Sequence, residues 1–485
     1  MGIRKIKSAI SRSPSRWRAI AARATKTCSI RTRASRDRMI RYHARWVLPI
    51  SHPPISNGTV VEHDGRIAYV GERSGAPAGT DVDLGDMALM PGLVNAHTHL
   101  ELTVMRGFLE DLDFRSWIFR LTRARREALA PEALIDSARF GIAEGLLAGI
   151  TTYADTNESG APFRAMLDMG VRGISYQEVF GPDPSQCAES LAGLRGKVDA
   201  LRREATALVR AGVSPHAPYS VCDALFEGTA RLAIQEGLPV AVHIAESADE
   251  SSLVQHALGG WAESHRSRGI NVVPRADSPI HLLERVGVLD ARPLLIHCVR
   301  VDDGDIGAIA RHDCAIAHCP ASNAKLGHGI APLVEFVRAG IRVGIGSDSV
   351  ASNNRMDLLD EARLAILMQR ARTAQFNAIS ASEALELATL GGARALGLEA
   401  EIGSLEVSKL ADLAAFPLAT PRSAPVYDPA SALVFAASGR MATFVAVAGR
   451  PLVRDSRLVG PAANVPSLES ATQALSAWSA TERRR

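Results

Sequence analysis

His97 and His99, in the segment MPGLVNAHTHL (90–100), are two imidazoles at alternate positions where an apolar run ends. Alternate residues of a strand point to one side, so both rings face one point, which is a good start to a metal site. Three later segments end in comparable residues: His243 in PVAVHIAE, His297 in PLLIHCV and Asp348 in VGIGSDS. A lone buried histidine is more often a structural hydrogen-bonding residue than a ligand. A set in which each member follows apolar strand sequence is different, because burying it without a use would cost on the order of several kcal/mol. Three imidazoles and one carboxylate suit a single divalent ion, Zn2+ first and Fe2+ second, with a position left for water.

Other residues in the same segments could move protons or meet substrate. Glu246 follows His243 where the strand runs out, and reads either as a salt-bridging acid at a helix start or as the proton carrier of a hydrolysis. His297 is open to two roles, metal ligand or second proton-handling group. Asp348 could bind metal and also accept a hydrogen bond from the attacking water. His216, between Pro215 and Pro218 in SPHAPYS, reads as a rigid turn or as a substrate-facing donor held still by the prolines. His318 and Asn323 in HCPASN could line the same mouth, and Asn353 and Asn354 are read first as helix caps. The run DLDFRSWIFRLTRARR (111–126) offers Phe114, Trp117 and Phe119 as an apolar wall, and arginines, Arg123, Arg125 and Arg126 among them, that could pair with an anionic group. Cys298 and Cys319 each follow a histidine directly; small buried core residues are the plainer reading than soft ligands.

Such residues must be carried by elements that converge. Eight apolar stretches end in or near chemistry: 93–99, 151–156, 171–180, 212–221, 239–246, 293–299, 314–320 and 343–349. Helix-like stretches alternate with them, at 131–148, 189–210, 226–236, 331–339 and 380–397. Alternation of this kind predicts an α/β fold, and polar residues gathered at strand C-termini predict a (β/α)8 TIM-like barrel across 91–405. Short strands at 39–90 and 406–460 are each too few to bury a core alone, and together predict a small composite β-sandwich domain built from both ends. The segment 247–292 reads as a helix plus a loop over the barrel mouth, and 461–485 as a tail that finishes in a short helix or stays disordered.

Composition sets the remaining bounds. The 485 residues carry a net charge of +3, but residues 1–40 hold twelve Lys/Arg against one acid, Asp37. From Arg41 on there are 43 basic and 51 acidic residues, so the body is acidic behind a basic leader. The leader, 1–38, lacks the apolar core of a secretory signal; it reads best as sequence preceding a natural start at Met39. No nucleic-acid or membrane partner is expected, and no apolar run could span a bilayer. Six cysteines without a CxxC pair fit a reducing, cytoplasmic setting, and a homodimer is the default expectation.

Taken in order, PGLVNAHTHL, SPHAPYS, HIAES, HCV and GSDSVASNN resemble the amidohydrolase superfamily, in its deaminase and chlorohydrolase branch, from about Arg41 to Gly460. The resemblance implies one metal held by His97, His99, His243 and Asp348, with Glu246 and His297 in proton transfer. Binuclear branches carry a carboxylated lysine at the end of the fourth strand; SPHAPYS has none, and Glu178 on the third strand is not a convincing substitute. The resemblance further implies hydrolytic removal of an amino group from an adenine-type nucleoside, with His216 on the substrate. Deaminases of methylthioadenosine and adenosylhomocysteine carry an acid near position 126, where this chain has arginines. That difference, with Glu101 in HTHLE, favours a carboxylate-bearing nucleoside such as aminodeoxyfutalosine, contacted by Trp117, Arg123, Arg126 and His318. The alternatives are hydrolysis of chloride or an alkylamine from a triazine or pyrimidine, and a non-catalytic barrel that only binds.

Overall fold

The computed structural model describes residues 39–437 and 441–482; the basic leader lies outside the described residues. Its centre is a ring of eight short parallel strands. Leu93–Thr98, Ile150–Asn157, Arg172–Val179 and Val209–Pro215 pair in sequence order, as do Ala241–Ile244, Leu294–His297, Ala315–His318 and Arg342–Ile345. Single bridges join the two sets at Val213–Val240 and Thr98–Asp348, closing the ring into a TIM-barrel-like fold. Nearly every strand residue is buried, because helices cover the outside while side chains fill the inside. The closing seam needs glycine. A Cβ on Gly344 would stand 2.8 Å from the Cβ of Ala96, and one on Gly346 2.9 Å from the Cβ of His97.

All eight predicted strands are present. The fourth starts earlier than the sequence suggests and stops at Pro215, because His216 to Ser220 turn away from the sheet, with Ser220 N–H donating to Ala217 O. The apolar run through Met90 is divided at Gly92. Met87–Pro91 belongs to a separate nine-stranded sheet assembled from both ends of the described chain, and pairs there antiparallel with Leu413–Pro417. One buried ion pair fastens that sheet to the barrel: Arg172 Nε donates to Asp412 Oδ2 at 2.9 Å and Nη2 to Oδ1 at 3.2 Å. Asp412 Oδ1 also accepts from Ala448 N–H at 2.7 Å, and Asp412 O from Gly92 N–H at 2.9 Å.

Of two surface segments, 247–292 is more helical than expected and the tail takes the helical of its two expected forms. The 247–292 stretch is three helices, Ala248–His256, Gly260–Ser267 and Pro279–Arg285, the first and third capped by Ser247 and Ser278. The tail ends in the helix Glu469–Glu482, packed on the helix Phe114–Ala128. Trp478 Nε1 donates to Glu127, Arg120 lies over the Trp478 ring at 5.6 Å, and Arg123 pairs with Glu482. No described helix is long and apolar enough to cross a membrane.

Candidate active site

The barrel strands deliver their polar residues at one end, and the backbone bends sharply to do it. His97 lies in the first strand, His243 in the fifth and His297 ends the sixth. Ala245, His297, Cys298 and Asp348 all take positive φ, at 52°, 76°, 47° and 56°. None is glycine, so each costs about 1 kcal/mol or more, and four together mark a place where geometry is held by its surroundings. Hydrogen bonds do the holding: Asp348 N–H donates to His97 O at 2.9 Å, Thr98 Oγ1 to Asp348 O at 3.1 Å, and Arg300 N–H to Ala245 O at 2.7 Å. Glu250 accepts from the N–H groups of Ala245 and Glu246 at 2.8 and 3.1 Å.

The expected ligands meet. One group unites ring nitrogens of His97, His99 and His243; a second unites His97, His297 and Asp348, with the atoms of each group within 4.8 Å of one another. Asp348 Oδ1 is 3.3 Å from His97 Nε2 and 3.7 Å from His99 Nε2, while His99 Nε2 and His243 Nε2 face each other at 3.3 Å. The site fits a divalent cation on two counts. His97 Nε2 is buried with no hydrogen-bond partner. Burial also lowers the imidazoles, His99 to about 3 and His243 well below the usual value, so they are neutral with lone pairs to give. Burial alone would raise Asp348, but the close approach of His97 at 3.3 Å and the neighbouring histidines outweigh it and hold the carboxyl well below its ordinary range. The cysteines play no such part, since burial pushes the thiols of Cys298 and Cys319 well above their usual value.

Beside this cluster sits Glu246, 3% exposed. Its Oε1 is 3.5 Å from His297 Nε2, and His297 Nδ1 is held by Asn323 Oδ1 at 2.9 Å, which presents Nε2 to the carboxylate. Burial would raise Glu246, but His297 and His328 more than offset it, so the carboxyl sits below its ordinary value. Two partners were not expected from the sequence. Ser322 donates to Asp348 Oδ2 from the helix after the seventh strand. His328 Nε2 lies 3.2 Å from Glu246 Oε1, from a loop that carries no strand or helix pattern. Only the histidine itself, between Gly327 and Gly329, could have drawn notice.

On the substrate side the expectations divide. His216 stands at the site, its ring 4.9 Å from that of His243 and its Nδ1 2.7 Å from Ser220 Oγ. His318 ends the seventh strand, buried, with both ring nitrogens unpartnered, and burial together with His297 lowers it to about 3. Glu178 groups with His216 and His243, and burial raises its carboxyl to about 8. The three arginines expected near an anionic group lie as follows. Arg123 pairs with Glu127 and Glu482 on the far side of its helix, and Arg126 is exposed. At about 100° per residue, Arg126 lies opposite Trp117, so one helix cannot present both to one cavity. Trp117 is itself core, packed with Leu102 and Met105. Phe114, one turn earlier, borders the cavity of about 440 Å³ at the mouth, with Arg115, Ser247 and His328. Arg125 is held between Glu101 and Glu158.

A family model described as "Amidohydrolase family" matches residues 88–452. Among curated proteins, the chain is 34% identical over 412 residues to a 5-methylthioadenosine/S-adenosylhomocysteine deaminase of Moorella thermoacetica, covering 84% of this chain and 92% of that one. Among solved structures, an adenosine deaminase from Xanthomonas campestris with bound zinc is similar with TM-score 0.79 and 29% identity, over 92% of this chain and 99% of that one. An atrazine chlorohydrolase from Arthrobacter aurescens complexed with zinc is similar with TM-score 0.76 and 27% identity, over 90% and 99%.

Proposed function

Because the chain belongs to the amidohydrolase family, we propose that its metal-dependent hydrolysis is the deamination of an adenine-type nucleoside. The observation that carries this reading is Glu246 set 3.5 Å from His297 beside the His97, His99, His243 and Asp348 cluster. Water adds across a ring C=N bond, its oxygen bonding to the carbon that bears the amino group and a proton going to the ring nitrogen; the exocyclic C–NH2 bond then breaks, and the amino group takes the remaining proton of the water and leaves as ammonia. His97, His99, His243 and Asp348 would hold one divalent ion, zinc by our reading and Fe2+ as the alternative. When bound, that ion supplies Lewis acidity and makes water acidic enough to lose a proton near neutral pH. Glu246 takes the proton and delivers it to the ring nitrogen next to the carbon under attack. His297, fixed by Asn323, offers Nε2 to the same proton traffic. Asp348, ionised, orients the attacking water by accepting its hydrogen bond. His216 and His318 are assigned to the substrate ring.

Among nucleosides, a carboxylate-bearing substrate such as aminodeoxyfutalosine draws on Arg123, Arg125, Arg126 and Glu101; Arg123 pairs with Glu127 and Glu482, Arg126 is exposed, and Arg125 is paired with Glu101 and Glu158, which weakens that reading. Similarity to a methylthioadenosine/adenosylhomocysteine deaminase and an adenosine deaminase supports simpler adenine nucleosides. The likeness to a chlorohydrolase supports a second reading, loss of chloride or an alkylamine from a triazine, through the same residues. The test is a panel of adenosine, 5′-methylthioadenosine, S-adenosylhomocysteine, aminodeoxyfutalosine and a chlorotriazine, read by ammonia and chloride release. Ammonia from an adenine nucleoside supports the proposal. Chloride release with no ammonia from any nucleoside would overturn it.

A further inference from the structure

His328 approaches the Glu246 carboxylate closely, and the hydrolysis described above leaves it without a task. It is 4% exposed, and Nε2 has no well-directed hydrogen bond although it stands 3.2 Å from Glu246 Oε1. A buried imidazole nitrogen so placed is either wasted or completes its bond to the carboxylate oxygen it already faces by a slight tilt of the ring. The surroundings leave the ring little freedom. Phe114 meets it edge to face with centroids 4.5 Å apart, and its backbone N–H donates to Asn323 O at 2.9 Å. Flanking Gly327 and Gly329, at φ 75° and 117°, give the loop the turns that aim it inward. Asn323 also fixes His297, so one residue sets both imidazoles against the same oxygen, His297 at 3.5 Å and His328 at 3.2 Å.

We propose that His328 is a positioning residue for Glu246: its Nε2–H holds Oε1 and so leaves the second carboxylate oxygen for the travelling proton. The inference rests on the reading that Glu246 carries that proton. Because His328 also borders the mouth cavity beside Phe114, the competing role is a wall that touches substrate only.

The experiment compares H328A, H328Q and E246Q with the wild-type full chain, on the nucleoside that wild type deaminates fastest. It also measures metal content and the crystal structure of H328A. A positioning role predicts that H328A loses about tenfold or more in kcat, with KM within about twofold and metal content unchanged. It predicts that H328Q, which restores an N–H donor, recovers a large part of that loss. In crystals of H328A the Glu246 carboxylate should leave its present rotamer, a readout that needs no turnover. A rise in KM with kcat unchanged, or Glu246 unmoved in H328A crystals, would overturn the proposal while leaving Glu246 in its role. Full activity of metal-replete E246Q would instead remove the reading beneath it.

Discussion

Replacing Glu246 by glutamine separates proton transfer from everything else this residue does. The side chain is 3% exposed, and both imidazoles that approach it, His297 at 3.5 Å and His328 at 3.2 Å, face Oε1. Glutamine has the same volume and keeps an acceptor oxygen for those contacts. It sits three residues beyond His243, on backbone pinned by Glu250, so the ligand cluster has no cause to move. What is lost is the carboxylate to which the proton transfer is assigned, held below its ordinary value because His297 and His328 more than offset the effect of burial. General acid–base catalysis is worth about a hundred- to ten-thousand-fold, or about 3–5 kcal/mol of barrier. E246Q should therefore lose at least about a hundredfold in kcat, with substrate affinity and metal content near wild type. The assay is ammonia release, with metal analysis and a thermal melt on the same preparation. A folded, metal-replete E246Q that turns over within about tenfold of wild type would refute the reasoning.

Two further substitutions test the frame around the site. D412A leaves Arg172, 2% exposed, with only its longer contact to Glu401 at 3.7 Å, and should cost up to about 3–5 kcal/mol of stability by denaturant titration; a loss below about 1 kcal/mol would contradict that role. E178Q tests the pH linkage. Burial raises the folded carboxyl from 4.5 to about 8, so the native state binds more protons than the unfolded state between those values, and wild-type stability falls as pH rises through that window. E178Q removes this slope and should gain up to a few kcal/mol over wild type above pH 8, and nothing below about pH 4.5; parallel pH–stability curves would contradict it.

The barrel was legible because several of its strands are apolar runs that carry a histidine or aspartate at or just beyond their C-terminal ends, a pattern that pure core strands do not show. The same pattern located His97, His99, His243, Glu246, His297 and Asp348 before any geometry was known. His328 escaped because it lies in a loop, where neither period marks it, and its place is set by two glycines and by Phe114. The directions in which Arg123 and Arg126 point were not legible for a different reason: residue types alone do not give a helix face. The helical period sets Arg126 opposite Trp117, toward solvent, and Arg123 about 120° from it, toward the helix Glu469–Glu482. That tail helix supplies Glu482 and Trp478 to a surface some 350 residues earlier in the chain, and no local signal announces a contact at such separation. The sheet built from both ends was visible only as two sets of strands, each too small to stand alone; their pairing at Met87–Pro91 with Leu413–Pro417 is a tertiary fact.

Metal content against activity tests the central claim most directly. Purified full-length chain, analysed by plasma mass spectrometry, should carry about one divalent ion per chain. Stripping it with a chelator should abolish ammonia release, and adding zinc should restore it; H97A/H99A should bind none. Undiminished turnover by the stripped chain, or a full equivalent of metal in H97A/H99A, would contradict a hydrolytic centre built on these strand ends.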